Sequence, residues 1–216
     1  MKNLLVIFGG CSSEYKISLR SVASVLRNID SGKYNVITVG ISEDGAWYLY
    51  TGDIDSIEND CWLTDENTTP AILSPDRKDK ALIVLNDMGA YEKIGIDVIF
   101  PVLHGKNGED GTIQGIFEMA GIPYVGCSPL AGAMCMDKAV TNTLADAAGI
   151  DGAKWAAFTE TEYRNGRVDL AKIEAKLGYP IFVKPANAGS SVGISKAHNH
   201  YELVEALDIA FRNDYK

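Results

Sequence analysis

The chain has 216 residues, 46% of them hydrophobic, enough for one large or two small domains with cores. Charged residues make up 23% and the formal net charge is -9, with no basic stripe, which argues against nucleic acid or an anionic membrane as a partner. No apolar run approaches the ~20 residues needed to span a bilayer, and the chain reads as a cytoplasmic protein.

Leu4 to Phe8 is an unbroken apolar run closed by Gly9-Gly10. It predicts a strand covered on both faces, as in a parallel sheet. Ile17, Val22, Val25 and Leu26 recur near helical spacing, and a second strand is expected over Tyr34 to Ile41, giving a βαβ unit. From Ser42 to Ala90 the pattern is less regular, with short strands expected at Ala46–Tyr50, Ala71–Ser74 and Ala81–Leu85. Ile96 to Leu103 is another buried strand ending at His104. A glycine-rich loop follows, then a helix from Thr112 to Ala120 stopped at Gly121, and a short strand over Pro123–Gly126. The first domain is expected to span 1–129 and the second 130–216. In the second, helices are predicted over Ala131–Met136, Lys138–Ala148 (capped by Asp137), Leu170–Leu177 and Tyr201–Phe211. Strands are expected at Trp155–Thr159, Pro180–Lys184 and Ile194–Ala197. The fold class is α/β: a Rossmann-like parallel-sheet domain, then a small α+β subdomain with an antiparallel sheet.

Three segments carry chemistry. The turn Gly9-Gly10-Cys11-Ser12-Ser13-Glu14 lacks the GxGxxG fingerprint, and the second strand lacks an acidic residue for a ribose, so a dinucleotide is not expected. Glu14 adds negative charge there. It suits a substrate ammonium group, or it simply stabilises the helix start. The loop from His104 to Gly115 holds four glycines in twelve residues at the carboxyl end of a buried strand, where open α/β sheets place ligands. No GK[ST] closes it, so it is not a Walker loop. Glu109 and Asp110 are expected to shape the loop, with His104 facing the site. Finally Lys184 ends an apolar strand beside Gly189-Ser190-Ser191-Val192-Gly193, which suits a phosphate grip or a hairpin with a snorkelling lysine. Lys138 offers a second cation. Cys11, Cys61, Cys127 and Cys135 form no CxxC pair and His198 and His200 lie far from them in sequence, so no zinc site is expected.

The blocks IFGGCSSEYKISL, FPVLHGKNGEDGTIQG, GIPYVGC, MCMDK and IFVKPANAGSSVGISK occur together and in order. Together the chain resembles the D-alanine–D-alanine ligase family of the ATP-grasp superfamily, over nearly its whole length. The spelling FPVLHGKNGEDGT, with GCSSEY and GISEDGAWYLYTG, looks closest to the vancomycin-resistance branch that makes D-alanyl-D-serine. The resemblance implies that Glu14 holds the ammonium of the first D-alanine and that His104 lines the same pocket. It implies that Lys138 and Lys184 contact ATP phosphates, and that Ser190 and Ser191 belong to a loop closing over them. Ser190's counterpart also hydrogen-bonds towards that of Glu14, so Glu14 and Ser190 are the residues expected nearest catalysis. Lys16 departs from the family, where most relatives carry an acidic residue. The implied reaction joins D-alanine to D-alanine or D-serine through an acyl phosphate, for peptidoglycan precursors, with ATP and two magnesium ions. A homodimer through the N-terminal domain is implied as well.

The family continues beyond Lys216 with the magnesium ligands, the adenine hinge and an arginine for the tetrahedral intermediate. The expectation is therefore a truncated chain or fragment, without a metal site and inactive by itself. Two alternatives stand beside it: another ATP-grasp carboxylate–amine ligase, and a binding module without catalysis.

Overall fold

The computed structural model describes residues 1–64, 66–86 and 89–216. They divide into two compact units, Met1–Gly132 and Ala133–Lys216.

The first unit is built on one seven-stranded sheet. Its elements run β1 (Lys2–Gly9), α1 (Tyr15–Asn28), β2 (Tyr34–Ile41), β3 (Trp47–Tyr50), α2 (Ile54–Glu58), β4 (Thr68–Leu73), β5 (Ala81–Leu85), β6 (Tyr91–Gly95), β7 (Val98–Pro101) and α3 (Thr112–Ala120). The strand order is β6-β5-β4-β3-β2-β1-β7. β1 pairs in parallel with β2 and β7, so the parallel part is three strands wide. From β2 to β6 every neighbour is antiparallel, a meander formed by the irregular segment after Ile41.

β1 explains the layering. Side chains alternate across a strand. Leu5 and Ile7 join the core that holds Ile113 and Phe117 of α3, while Leu4, Val6 and Phe8 join the core that holds Leu19 and Val22 of α1. Its apolar run is continuous because both faces are covered. On α1 the buried residues are Tyr15, Ser18, Leu19, Val22 and Ala23, an i, i+3, i+4, i+7, i+8 stripe. Ile17, assigned inward from the sequence, is 44% exposed. The stripe includes a tyrosine and a serine, and reading only aliphatic residues shifts the face.

The strand expected over 96–103 pairs only at Val98–Pro101, and the one expected at 123–126 is a single parallel bridge from Tyr124 to Ile99. β6 was not visible in the sequence because YEKIG, at the sheet edge, carries two charges and little apolar alternation.

α4 (Pro129–Met136) spans the division between the units. The second unit holds α5 (Lys138–Ala147), α6 (Glu160–Arg164), α7 (Leu170–Leu177), β8 (Ile181–Val183), β9 (Ser195–Ala197) and α8 (His200–Phe211). β8 and β9 form an antiparallel pair, and Leu203, Ala206, Leu207 and Ala210 of α8 cover it. Residues 155–159 form no strand. Lys176 Nζ donates to the Trp155 carbonyl, the Trp155 indole donates to Asp146, and Thr159 starts α6 in a capping box with Glu162. The T-x-x-E spacing that marks this start was present in the sequence. Among the described residues no helix is long and apolar enough to cross a membrane.

Candidate active site

In the first unit two chain ends at the carboxyl edge of the parallel strands are stitched together by hydroxyls. Gly9 turns at φ +84, and Gly10 N–H donates to the Ile41 carbonyl at 2.8 Å. A Cβ at Gly9 would run into that same carbonyl oxygen, so the turn requires glycine. Ser18, fully buried, accepts from Gly9 N–H at 2.8 Å and donates to the Val102 carbonyl. Ser12 Oγ donates to the His104 carbonyl at 2.8 Å and accepts from Glu14 N–H at 3.1 Å. His104 Nε2 lies 3.0 Å from Ser21 Oγ.

These bonds bring Glu14 and His104-Gly105 together. Glu14 is only 6% exposed and precedes the first turn of α1. Its carboxylate lies so close to Gly105 that a Cβ there would strike it. A nearly buried carboxylate beside a polar loop has the charge to attract a cationic group such as an ammonium.

Beyond His104 the glycine loop is self-contained. Glu109 accepts from Gly105 N–H at 2.7 Å. Asp110 accepts from Asn107 N–H at 2.8 Å and from Thr112 N–H at 3.0 Å. Burial would push the Asp110 carboxyl up, but those N–H donors outweigh it and hold it below the usual range. Gln114 Nε2 donates to the Gly108 carbonyl at 2.7 Å. Both acids shape the loop, and only Asp110 reaches the helix start.

In the second unit Lys138 and Lys184 line one cavity of about 700 Å³, together with Phe182, Trp155 and Phe158. Parity on β8 buries Ile181 and Val183 and leaves Phe182 exposed, and Lys184, just past the strand, is exposed as well. Asp137 caps α5, accepting from Ala139 and Val140 N–H at 2.9 and 3.1 Å. Lys138 begins that helix, and its Nζ donates to the carbonyls of Ala186 at 3.3 Å and Ala188 at 2.5 Å. Burial, and then the nearby charge of Lys184, depress the Lys138 pKa. Two ammonium groups that disfavour each other in a concave, partly apolar site suit a polyanion carrying an aromatic group, such as a nucleotide. Ser190 and Ser191 are exposed and adopt φ of +45 and +63, two successive left-handed residues without a glycine's freedom.

Sequence reasoning missed the supporting residues. Ser12, Ser18 and Ser21 show no pattern as isolated serines. Asp137 also pairs with Lys216, and Asn187 donates to Asp214, contacts 79 and 27 residues apart that no local signal marks. Lys16, which departs from the family pattern, lies 3.9 Å from Asp60.

Comparison with known proteins gives the family of the chain. Residues 3–127 match the family described as D-ala D-ala ligase N-terminus, and residues 144–216 the one described as D-ala D-ala ligase C-terminus. The chain is 47% identical over 213 residues to a D-alanine--D-alanine ligase of Caldicellulosiruptor bescii, covering 98% of this chain and 57% of that one. It is 48% identical over 228 residues to one from Acetivibrio thermocellus, covering 100% and 60% respectively. Among solved structures it is similar to the VanG D-Ala:D-Ser ligase of Enterococcus faecalis, with a TM-score of 0.88 and 44% identity over 99% of this chain and 60% of that one. The chain thus spans about three-fifths of the length of the relatives it matches.

Proposed function

The chain belongs to the D-alanine–D-alanine ligase family, and from that premise we propose that it supplies the ammonium pocket and phosphate grip of an ATP-dependent ligase. The enzyme joins D-alanine to a second D-amino acid, D-alanine or D-serine, for peptidoglycan synthesis and cell-wall biogenesis in the cytoplasm. It acts as a homodimer through the first unit. The observation that carries this reading is the pair Lys138 and Lys184 lining one cavity, with Lys138 half-buried on two carbonyls.

The residues then divide the work. Glu14 binds the ammonium of the first D-alanine, and His104 lines that pocket and is oriented through Ser21. Bound ATP supplies the phosphoryl group that turns the D-alanine carboxylate into an acyl phosphate. Lys138 and Lys184 offset the charge on the phosphates, the main requirement of phosphoryl transfer. Ser190 and Ser191 present hydroxyl and N–H donors from a loop that excludes water, which would otherwise hydrolyse the acyl phosphate. The amine of the second substrate then displaces phosphate. Two magnesium ions belong to the same reading. Among the described residues no three His, Cys, Asp or Glu side chains gather to hold one, so no step assigned to this chain uses them.

The test is ADP release by the whole protein, supplied with D-alanine alone and with D-alanine plus D-serine, and the dipeptide identified by mass. Release that depends on D-alanine is expected. Release driven by a different carboxylate, or none with D-alanine present, overturns the reading.

A further inference from the structure

Residues 59–64 carry neither helix nor strand, yet Trp62 is 1% exposed. Its indole stands edge-on to Phe8, with ring centroids 4.9 Å apart, and to Tyr50 at 6.0 Å. A Cβ at Gly40 would strike it, so β2 leaves room for this one side chain. The indole Nε1 donates a 2.7 Å hydrogen bond to the Tyr15 hydroxyl, and Tyr15 is 5% exposed.

Tyr15 is the residue after Glu14, and its ring lies against Gly9. Burial pushes its phenol up to about 12 against the lowering effect of the Trp62 hydrogen bond, and the Asp60 carboxylate adds to the rise. The hydroxyl therefore stays neutral as the acceptor of the indole N–H. Asp60, at φ +59, also faces Lys16 at 3.9 Å. One irregular loop thus grips the two residues that follow Glu14. On the other side, Glu14 N–H is held by Ser12. Glu14 itself has φ -106 and ψ 14 and lies outside the regular helix, so its direction depends on these anchors.

We propose that Trp62 and Tyr15 are positioning residues for Glu14, their hydrogen bond fixing the start of α1 so that the carboxylate stays against Gly105 and ready for the first substrate's ammonium. This rests on the role given to Glu14 above. The pair acts on the first substrate and leaves the phosphate grip alone.

The test uses the whole protein with Trp62→Phe and Tyr15→Phe, alone and combined, and with Glu14→Gln beside them. KM for D-alanine as first substrate, KM for ATP, kcat and melting temperature are measured. Each single change is expected to raise the D-alanine KM by about five- to tenfold, the scale of one lost hydrogen bond. The ATP KM and kcat are expected to stay within about twofold, because the loss lies in substrate binding. The double variant is expected to resemble the worse single one, since both remove the same interaction. If Trp62→Phe does not fold, Tyr15→Phe, which keeps its ring, decides alone. An unchanged D-alanine KM in Tyr15→Phe, with Glu14→Gln raising it, overturns the positioning role and leaves the role of Glu14 standing. An unchanged KM in Glu14→Gln overturns the role of Glu14 itself. Equal rises in both KM values with a lower melting temperature mark a packing defect and overturn the proposal too.

Discussion

The two units present charge in opposite ways. In the first, Glu14 is 6% exposed, and the chain on either side is fixed by Ser12, Ser18 and Tyr15. In the second, Lys184 is exposed, Lys138 is half-buried on two carbonyls, and Ser190 and Ser191 stand in an exposed loop. A buried carboxylate with a preset direction can discriminate by geometry. Long lysines reaching from the ends of elements tolerate movement of a flexible polyanion. On the proposed function, the first unit selects and the second adjusts.

Glycine substitutions probe this contrast most strongly. Gly9 and Gly149 both sit at positive φ, +84 and +71. Alanine at Gly9 would meet the Ile41 carbonyl and the Tyr15 ring, whereas at Gly149 nothing lies within 4 Å. Gly9→Ala is expected to cost about 3 kcal/mol or more in denaturant unfolding, and Gly149→Ala about 1 kcal/mol. Equal costs would remove the contrast between a crowded site and an open one. Next in size, Lys184→Ala is expected to weaken ATP binding about ten- to a hundredfold by calorimetry while moving stability by less than about 0.5 kcal/mol. A large stability loss instead would make Lys184 part of the framework. The smallest effect is in acid. Burial would raise the Asp137 carboxyl, but Lys216 and the N–H groups of Val140 and Ala139 hold it below the usual range. Its folded pKa is depressed, so its stabilisation is full above the ordinary carboxylate range and fades as pH falls through the folded value. The stability gap between the wild type and Asp137→Asn is therefore expected to shrink between about pH 5 and pH 3. A gap that is constant with pH would mean that Lys216 adds nothing.

Much of the frame was legible because its signals are local. β2, β5, α3 and α7 fall at the residues their patterns predict, since apolar runs and capping residues mark their own ends. The glycine loop was legible as a unit through its composition. The aromatic support behind Glu14 was not. Trp62 is a single apolar residue in a segment without periodicity, and its partners Phe8, Tyr15 and Tyr50 lie on three different elements. Nothing local distinguishes Ser18, which ties Gly9 to a carbonyl 84 residues further along at Val102, from a serine facing solvent. Of the residues expected at the site, Glu14 lies beside Gly105, the residue after His104, and Lys138 and Lys184 line one cavity. Glu14 and His104 end their segments at the same sheet edge, whereas the hydroxyls that hold them come from Ser12 in the turn and Ser21 on α1.

The strand order carries one more consequence, in the time domain. β2 to β6 are neighbours in sequence as well as in the sheet, so that meander zips together hairpin by hairpin. β1 and β7 meet across a separation of 94 residues, as Asn3 does with Asp97. Bringing such distant segments together carries a loop-closure entropy that short hairpins avoid. His104 and Gly105 arrive beside Glu14 only when that closure happens. A chain caught before it holds a finished meander and has not yet brought Gly105 against Glu14.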